Sequence, residues 1–247
     1  MILFISDTHF GRGDPASERA KEHDLIACLR HHREGAEHLY LLGDIFEEFI
    51  EYRRVAPKGF ERLKGLLAEW TDAGIRVTYL VGNHDPWHRD YFESELGVRV
   101  EFGSLTISHD DLVLHLSHGD RVVERSGVKA LLKSWLRHPA PVWIYRSLLP
   151  ADFGMWLAGS VNRRFGNREV DPNLVDLLRE HARRILRESP ADVVIFGHTH
   201  QPELVSWPEG RYLNPGYWHE SRNFGRLQDG KLQLARWNGQ TAEIVQE

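Results

Sequence analysis

The chain has 247 residues, of which 41% are hydrophobic and 27% charged. This length and composition predict a globular protein with a full core, built as one domain or as one domain carrying an insertion. A formal net charge of −5 argues against a protein that coats nucleic acid, because such a protein needs a basic surface to displace counterions.

The cysteine count and the apolar runs indicate the compartment. Cys28 is the single cysteine and has no partner for an internal disulfide, which favours a reducing compartment, by default the cytoplasm. The first apolar run, residues 2–5, is too short for a signal peptide, and no run reaches the length of a spanning helix. We therefore expect any contact with a membrane to be peripheral.

In chain order, short apolar runs alternate with segments of helical periodicity. Strands are predicted at residues 2–6, 38–42 and 76–81, with helices at 17–32 and 58–71 between them. This alternation is typical of βαβ units, in which helices cover a buried sheet.

The second half continues the pattern and then changes it. A strand is predicted at 112–117, followed by a helix with Asp171 as N-cap and Pro172 as its first residue, and then by a strand at 192–196. Beyond residue 203, short strands separated by turns such as Asp229-Gly230 predict an antiparallel, hairpin-rich end.

Five predicted strands end in clusters of Gly, Asp, Asn or His. Strand ends are where α/β proteins place their sites, and carboxylate, amide and imidazole groups suit divalent ions such as Mn, Fe or Zn. The clusters are Asp7-Thr8-His9, Gly43-Asp44, Gly82-Asn83-His84-Asp85, His118-Gly119-Asp120 and Gly197-His198-Thr199-His200.

The five strand-end clusters together are more informative than any one of them. Any one cluster is also explained by turn chemistry, and Asp44 alone is equally typical of a turn. In Asp7-Thr8-His9 the two metal-type residues lie two positions apart, so in an extended chain both side chains point to one side. Glycine beside them leaves room for close approach. Five such ends in one chain favour a metal site.

In this order the motifs resemble the calcineurin-like metallophosphoesterase superfamily over residues 1 to about 218. The resemblance implies an α/β fold, a four-layer αββα sandwich, and two divalent metal ions, most typically Mn, with Fe or Zn as alternatives. It implies one metal on Asp7, His9, Asp44 and His200, and a second on Asp44, Asn83, His118 and His198. Asp44 then bridges the two ions.

The implied chemistry is hydrolysis of a phosphoester or pyrophosphate. Two cations bind phosphoryl oxygens, offset developing negative charge and lower the pKa of a shared water. His84 is not in the implied ligand set, and we predict that it is a catalytic donor to the phosphoryl or leaving-group oxygen, with Asp85 orienting its ring. Asp85 is equally explained as a cap that precedes Pro86.

An insertion at residues 122–166, within a domain spanning 1–247, is predicted to be a helical lid. Residues 121–169 hold nine Lys or Arg against three acids, and Trp135, Trp143 and Trp156 lie there. Apolar area beside cations is what an enzyme seated on a lipid surface needs. A lid that packs its own core and a dimer contact are the alternatives.

Further segments resemble UDP-2,3-diacylglucosamine hydrolases of lipid A biosynthesis, among them Gly43-Asp44-Ile45-Phe46, Gly82-Asn83-His84-Asp85-Pro86-Trp87 and Gly197-His198-Thr199-His200-Gln201-Pro202. The resemblance implies a manganese hydrolase, peripheral on the inner membrane, that cleaves the pyrophosphate of an acylated sugar nucleotide into UMP and 2,3-diacylglucosamine 1-phosphate. It places substrate contacts at Asn83, His198, Arg163, Arg164 and Asn167.

One difference from those hydrolases bears on this interpretation, and other functions are alternatives. The best-known branch of those hydrolases has Arg where this chain has His84, so contacts made by that Arg are not carried over. The same metal chemistry also serves other phosphomonoesters and diesters, such as nucleotides or phosphoproteins. A non-catalytic scaffold is disfavoured because all seven predicted metal ligands are present, and a nuclease because the net charge is acidic.

Overall fold

The computed structural model describes residues 1–123, 139–165 and 171–247. One sheet contains β1 (Ile2–Ile5), β2 (His38–Leu41), β3 (Arg76–Leu80), β4 (Arg99–Glu101), β10 (Asn223–Gln228), β11 (Lys231–Trp237) and β12 (Ala242–Gln246). Its strand order is β12-β11-β10-β1-β2-β3-β4. The strands β1 to β4 run parallel, whereas β10, β11 and β12 join antiparallel to the other side of β1.

The second sheet contains β5 (Leu105–His109), β6 (Leu112–Ser117), β7 (Val193–Phe196), β8 (Glu203–Trp207) and β9 (Gly210–Asn214). Its order is β5-β6-β7-β9-β8, with parallel pairing of β6, β7 and β9 and antiparallel strands at both edges. The predicted strand at 112–117 and the hairpin-rich end are confirmed.

The helices are α1 (Pro15–His31), α2 (Glu61–Asp72), α3 (Tyr91–Leu96), α4 (Asp120–Val123), α5 (Pro139–Leu148), α6 (Ala151–Phe165), α7 (Pro172–Glu188) and α8 (Trp218–Ser221). Asp171 caps α7 by accepting from the N–H of Asn173, which confirms the predicted start. The second helix begins later than its apolar pattern predicted, because Phe60 at its N-cap has a left-handed backbone (φ 55°).

Three buried clusters define four layers. The first lies between the larger sheet and helices α1, α2 and α3, with Trp70 at its centre. The second joins the facing sides of the two sheets and includes Phe4, Leu116 and Ile195. The third packs α7 on the outer side of the smaller sheet through Leu178 and Phe196. The predicted αββα sandwich is therefore confirmed.

The C-terminal ends of the parallel strands of both sheets meet at one edge of the sandwich. A parallel strand can present its end residues only at that edge, so the five motif loops converge there although, for example, 191 positions separate His9 from His200. The short elements α3, β4 and β5 were not predicted, since each is too short to show a clear hydrophobic period.

The predicted insertion at 122–166 lies only partly within the described residues. Its described part forms helices α5 and α6, while residues 124–138 and 166 lie outside. Its role as a lid, and the single domain over 1–247, stay predictions. In the described ranges, no helix is both long and apolar enough to cross a bilayer.

Candidate metal centre

The first group of polar side chains at this edge comes from the ends of β1 and β7. The carboxylate Oδ1 of Asp7 lies 3.3 Å from Nε2 of His200 and 3.7 Å from Nε2 of His9. The two imidazole Nε2 atoms are 3.2 Å apart. Asp7 and His9 are fully buried and His200 is mostly buried, so the three donors converge in a site largely shielded from water.

The second group lies beside the first and comes from the ends of β2, β3, β6 and β7. Nε2 of His118 lies 3.2 Å from Oδ2 of Asp44 and 3.3 Å from Oδ1 of Asn83. His198 offers a ligand atom within 4.8 Å of those of Asp44 and His118. The structure thus brings all seven predicted ligands together.

Asp44 stands between the two groups. Its Oδ2 lies 3.2 Å from Nε2 of His118 in one group and 3.8 Å from Nε2 of His9 in the other. Its other oxygen, Oδ1, accepts a hydrogen bond of 2.8 Å from the backbone N–H of His84. One carboxylate oxygen is therefore fixed by the backbone while the other is shared by both groups, which is the position a bridging ligand needs.

Five of the predicted ligands have left-handed backbones. Their φ angles are 51° for Asp7, 45° for His9, 52° for Asp44, 70° for His198 and 60° for His200. Non-glycine residues rarely adopt this conformation, which costs of order 1–3 kcal/mol per residue and collects at functional sites. The strain is explained if the bent backbone aims these side chains into one small volume.

Two glycines make room for that volume. A Cβ at Gly43 would lie 2.6 Å from Nδ1 of His118, and a Cβ at Gly82 would collide with the carboxylate of Asp44. Gly43 also has φ 86°. The expected use of glycine for close approach is confirmed at both positions.

The orientation of two imidazole rings is fixed by hydrogen-bond partners at their Nδ1 atoms. The Nδ1 atom of His9 lies 2.8 Å from Oε2 of Glu47, and Nδ1 of His118 lies 2.8 Å from the carbonyl oxygen of Leu42. Donation from Nδ1–H leaves the Nε2 lone pair free toward the site, as metal-binding histidines require. The ring orientation thus fits metal binding.

The electrostatics follow from buried carboxylates packed against imidazoles. Burial alone would raise the pKa of Asp7, but the adjacent imidazoles of His200 and His9 lower it below its ordinary range. Burial likewise opposes charge on His9, yet the carboxylates of Asp7 and Glu47 raise its pKa to about 9. The buried carboxylates thus make the site a concentrated negative centre that favours cations.

His198 behaves differently from the other imidazoles. Burial, and then the positive charge of His118, lower its pKa to about 4. A neutral imidazole is the form that binds a metal ion. Among the described residues, the buried Oδ1 atom of Asp7 has no hydrogen-bond partner, which also fits a role as a metal ligand. These donors therefore fit divalent cations.

Asp85 is placed differently from its expected role. Its buried carboxylate accepts from the backbone N–H groups of Ile45 and Gly82, both at 2.8 Å, and from the hydroxyl of Tyr79. These bonds tie together the loops that carry Asp44 and Asn83. The carboxylate beside His84 is instead that of Glu47, whose Oε1 lies 3.7 Å from Nδ1 of His84.

His84 lies at the rim of the two groups, next to His9. Its ring stands edge-on to that of His9, with centroids 4.8 Å apart. Its side chain is 15% exposed, more than the fully buried ring of His9. His9, Asp44 and His84 also offer ligand atoms within 4.8 Å of one another, so His84 is close enough to contact a group held between them.

Sequence reasoning missed Glu47 and Tyr217. Glu47 lies three residues after Asp44, and that short spacing was its only signal. The ring of Tyr217 stacks on His200 with centroids 4.5 Å apart and an interplanar angle of 12°. Tyr217 follows an unremarkable Asn-Pro-Gly turn, and only the fold brings it to the site.

The predicted substrate contacts of the insertion are not described in atomic detail. Asn167 lies outside the described residues, and Arg163 and Arg164 lie within helix α6, at its C-terminal end. The other two predicted substrate contacts, Asn83 and His198, are in the second group, as given above.

An αββα sandwich whose paired strand ends gather carboxylates and imidazoles defines a metal-dependent phosphoesterase. The profile of the calcineurin-like phosphoesterase family matches residues 1–202, and the chain belongs to that family. It is a metal-dependent hydrolase, and the resemblance seen in the sequence is confirmed.

Among its relatives are two proteins named UDP-2,3-diacylglucosamine hydrolase. The one from Porphyromonas gingivalis is 31% identical over 88% of this chain and 90% of its own length. The one from Ectopseudomonas mendocina is 32% identical over 83% of each chain. Among solved structures, the phosphoesterase Yfce from E. coli covers 99% of this chain and 96% of its own, with a TM-score of 0.47 and 17% identity.

Proposed function

We propose that this protein hydrolyses the pyrophosphate of UDP-2,3-diacylglucosamine to UMP and 2,3-diacylglucosamine 1-phosphate. The observation that carries the proposal is the identity of about 30% with hydrolases of that name over most of both chains, together with the complete set of seven predicted metal ligands. Both parts are needed, because a family member without the ligands would lack the chemistry.

In this proposal Asp7, His9 and His200 would hold one divalent ion, Asn83, His118 and His198 would hold a second, and Asp44 would be a ligand to both. The donor atoms are all oxygen or nitrogen, and such a set suits manganese, with iron or zinc as alternatives. When bound, the two ions would supply positive charge to the phosphoryl oxygens and would make a water nucleophilic near neutral pH.

The chain's own residues complete the reaction. His84 at the rim donates a hydrogen bond or a proton to an oxygen of the reacting phosphate, with Glu47 as the carboxylate beside its ring. Asn83 and His198 contact the phosphate from the second group. Asp85 acts indirectly, because its hydrogen bonds hold the loops that carry Asp44 and Asn83 in place.

The insertion lies beside this site. Arg146 of α5 donates a hydrogen bond of 2.6 Å to the carbonyl oxygen of Trp87, which lies four residues after Asn83. The ring of Trp87 meets that of Tyr145 edge-on, with centroids 4.6 Å apart. Helix α5 is thus anchored to the loop that carries His84, which supports the proposal that the insertion is a lid over an acylated substrate.

The outer surface of these helices is apolar. Trp143 is 69% exposed, Leu148 74% and Trp156 60%, and Ile144 and Phe153 are also exposed. Exposed apolar patches of this kind mark interaction sites, and a patch beside cationic residues suits acyl chains and anionic head groups. We propose that α5 and α6, with Arg163, Arg164 and Asn167, bind the lipid and seat the protein peripherally on the inner membrane.

The test is product identification with purified, manganese-loaded protein. We expect UMP and a diacylglucosamine phosphate to appear from UDP-2,3-diacylglucosamine, and chelation to stop the reaction. A panel of p-nitrophenyl phosphoesters, cyclic nucleotides and a phosphopeptide runs in parallel. Turnover of that panel without release of UMP would overturn the lipid substrate and leave a phosphoesterase of another specificity.

A further inference from the structure

The loop that follows His9 is held rigidly by two buried charged side chains of α1. The carboxylate of Glu18 accepts from the backbone N–H groups of Gly11 and Gly13, both at 2.7 Å. The ammonium of Lys21 donates to the carbonyl oxygens of Thr8 and His9 at 3.0 and 3.1 Å. A surface loop with four such bonds to buried partners presents its side chains from a fixed backbone.

Arg12 is the residue this loop presents, between Gly11 and Gly13. Its guanidinium donates to the hydroxyl of Tyr217 at 3.3 Å and lies 6.0 Å from the centroid of that ring. The Tyr217 ring in turn stacks on His200 and meets His9 edge-on at 5.6 Å. Arg12 is therefore one side chain away from two residues of the first metal group.

The guanidinium of Arg12 keeps donors available. The side chain is half-buried, and in the described part of the chain no carboxylate forms an ion pair with it. A planar guanidinium with several N–H donors matches the oxygens of a phosphate better than any other side chain does. A fixed cation beside a phosphoesterase centre, with no direct ion pair to a carboxylate among the described residues, fits a second phosphate.

We propose that Arg12 binds the phosphoryl group of the substrate that the metal ions do not hold, and that Tyr217 positions Arg12 for this contact. The site is thereby specific for pyrophosphates over simple phosphoesters. The inference rests on the proposed function only in assuming a substrate with two linked phosphates. It concerns a binding contact, so no bond is made or broken at Arg12.

A purely electrostatic role for Arg12 makes a different prediction. Its positive charge helps to lower the pKa of Glu47, after burial and His9, so it also offsets the negative charge of the centre. If that were its whole role, its loss would change the binding of one-phosphate and two-phosphate ligands alike. A direct contact with the second phosphate changes only the latter.

The experiment compares the α,β-methylene analogue of UDP, which resists hydrolysis, with UMP. Calorimetry measures both affinities for the manganese-loaded protein and for Arg12→Ala, Arg12→Lys and Tyr217→Phe, with metal content determined for each. We expect Arg12→Ala to weaken the diphosphate analogue about tenfold or more and UMP less than twofold. Arg12→Lys, which keeps the charge but not the fork, and Tyr217→Phe should fall between.

The matched control is Arg19→Ala, an exposed arginine of α1, which should leave both affinities unchanged. Equal weakening of the two ligands by Arg12→Ala, or no weakening of the analogue, overturns the proposal. Because the assay measures binding of a nucleoside diphosphate and needs no turnover, it gives its answer even if UDP-2,3-diacylglucosamine is not a substrate.

Discussion

Glu47 and His9 are 38 residues apart, and Oε2 of the glutamate lies 2.8 Å from Nδ1 of the histidine. The other oxygen of Glu47 lies 3.7 Å from Nδ1 of His84. One carboxylate therefore stands behind a predicted metal ligand and beside a predicted catalytic residue, and it links the two.

Replacement of Glu47 by Gln should lower metal affinity about 10- to 100-fold, because the amide no longer fixes the ring of His9 as a charged acceptor does. Metal titration followed by calorimetry measures this directly. Glu34→Gln, a change at an exposed position, is the matched control and should leave metal affinity unchanged. Unchanged affinity in the Glu47 variant would show that its carboxylate does not support the ligand.

Loss of Asp44 should remove turnover. We expect Asp44→Asn and Asp44→Ala to reduce hydrolysis of any phosphoester by more than about 100-fold, since ligand loss exceeds the loss of a supporting group. Only the Ala variant should also lose stability, by about 1 kcal/mol or more, since Asn tolerates the left-handed backbone at this position. Circular dichroism, thermal denaturation and metal content separate the two effects.

His118→Ala should behave like Asp44→Asn in turnover, with the overall fold retained. Addition of manganese should raise the melting temperature of the wild-type protein, by the equivalent of about 2.7 kcal/mol at 100 times its dissociation constant. Asp44→Asn and His118→Ala should show a smaller rise in melting temperature on addition of manganese. Full activity in a chelated, metal-free sample of either variant would contradict the two-metal proposal.

His88 should make the protein sensitive to acid. Burial, and then the charge of Arg146, lower its pKa to about 3, whereas the unfolded chain has a value near 6.5. Between these values the unfolded state binds a proton that the folded state does not, so stability falls as the pH drops. The loss amounts to about 2 kcal/mol at pH 5.

His88→Phe tests this contribution, because the ring already stacks on Phe49 at 4.5 Å and neither ring nitrogen has a hydrogen-bond partner among the described residues. Urea denaturation should give similar stabilities for variant and wild type at pH 8, and a more stable variant at pH 5. His23→Gln, at an exposed histidine, is the control. Parallel pH curves for His88→Phe and wild type would assign the acid sensitivity elsewhere.

The apolar surface of α5 and α6 should bind lipid. The double variant Trp143→Ala and Trp156→Ala is expected to bind anionic phospholipid vesicles at least about tenfold more weakly, since two large exposed rings are lost. Hydrolysis of small phosphoesters should be unaffected. Leu177→Ala, an exposed leucine on α7, serves as control, and equal loss of small-ester turnover would make the insertion structural.

The sequence by itself determined the class of site. Each strand end carries its own metal-type residues, and the parallel arrangement predicted from the βαβ alternation is enough to bring Asp7, Asp44 and Asn83 to one edge. The start of α7 was equally local, since Asp171 and Pro172 contain the whole capping signal. These features depend on neighbours in the chain, so pattern reasoning reaches them.

Only the tertiary structure decided what surrounds those residues. Asp85, adjacent to His84 in sequence, binds the backbone of the Asp44 loop, and Glu47 takes the place beside His84. Tyr217 contacts both His200 and Arg12, and Arg12 lies near the opposite end of the chain from the other two residues. Such contacts follow from how two sheets and their loops pack, and a side chain's partner across that packing leaves no periodicity or spacing in the sequence.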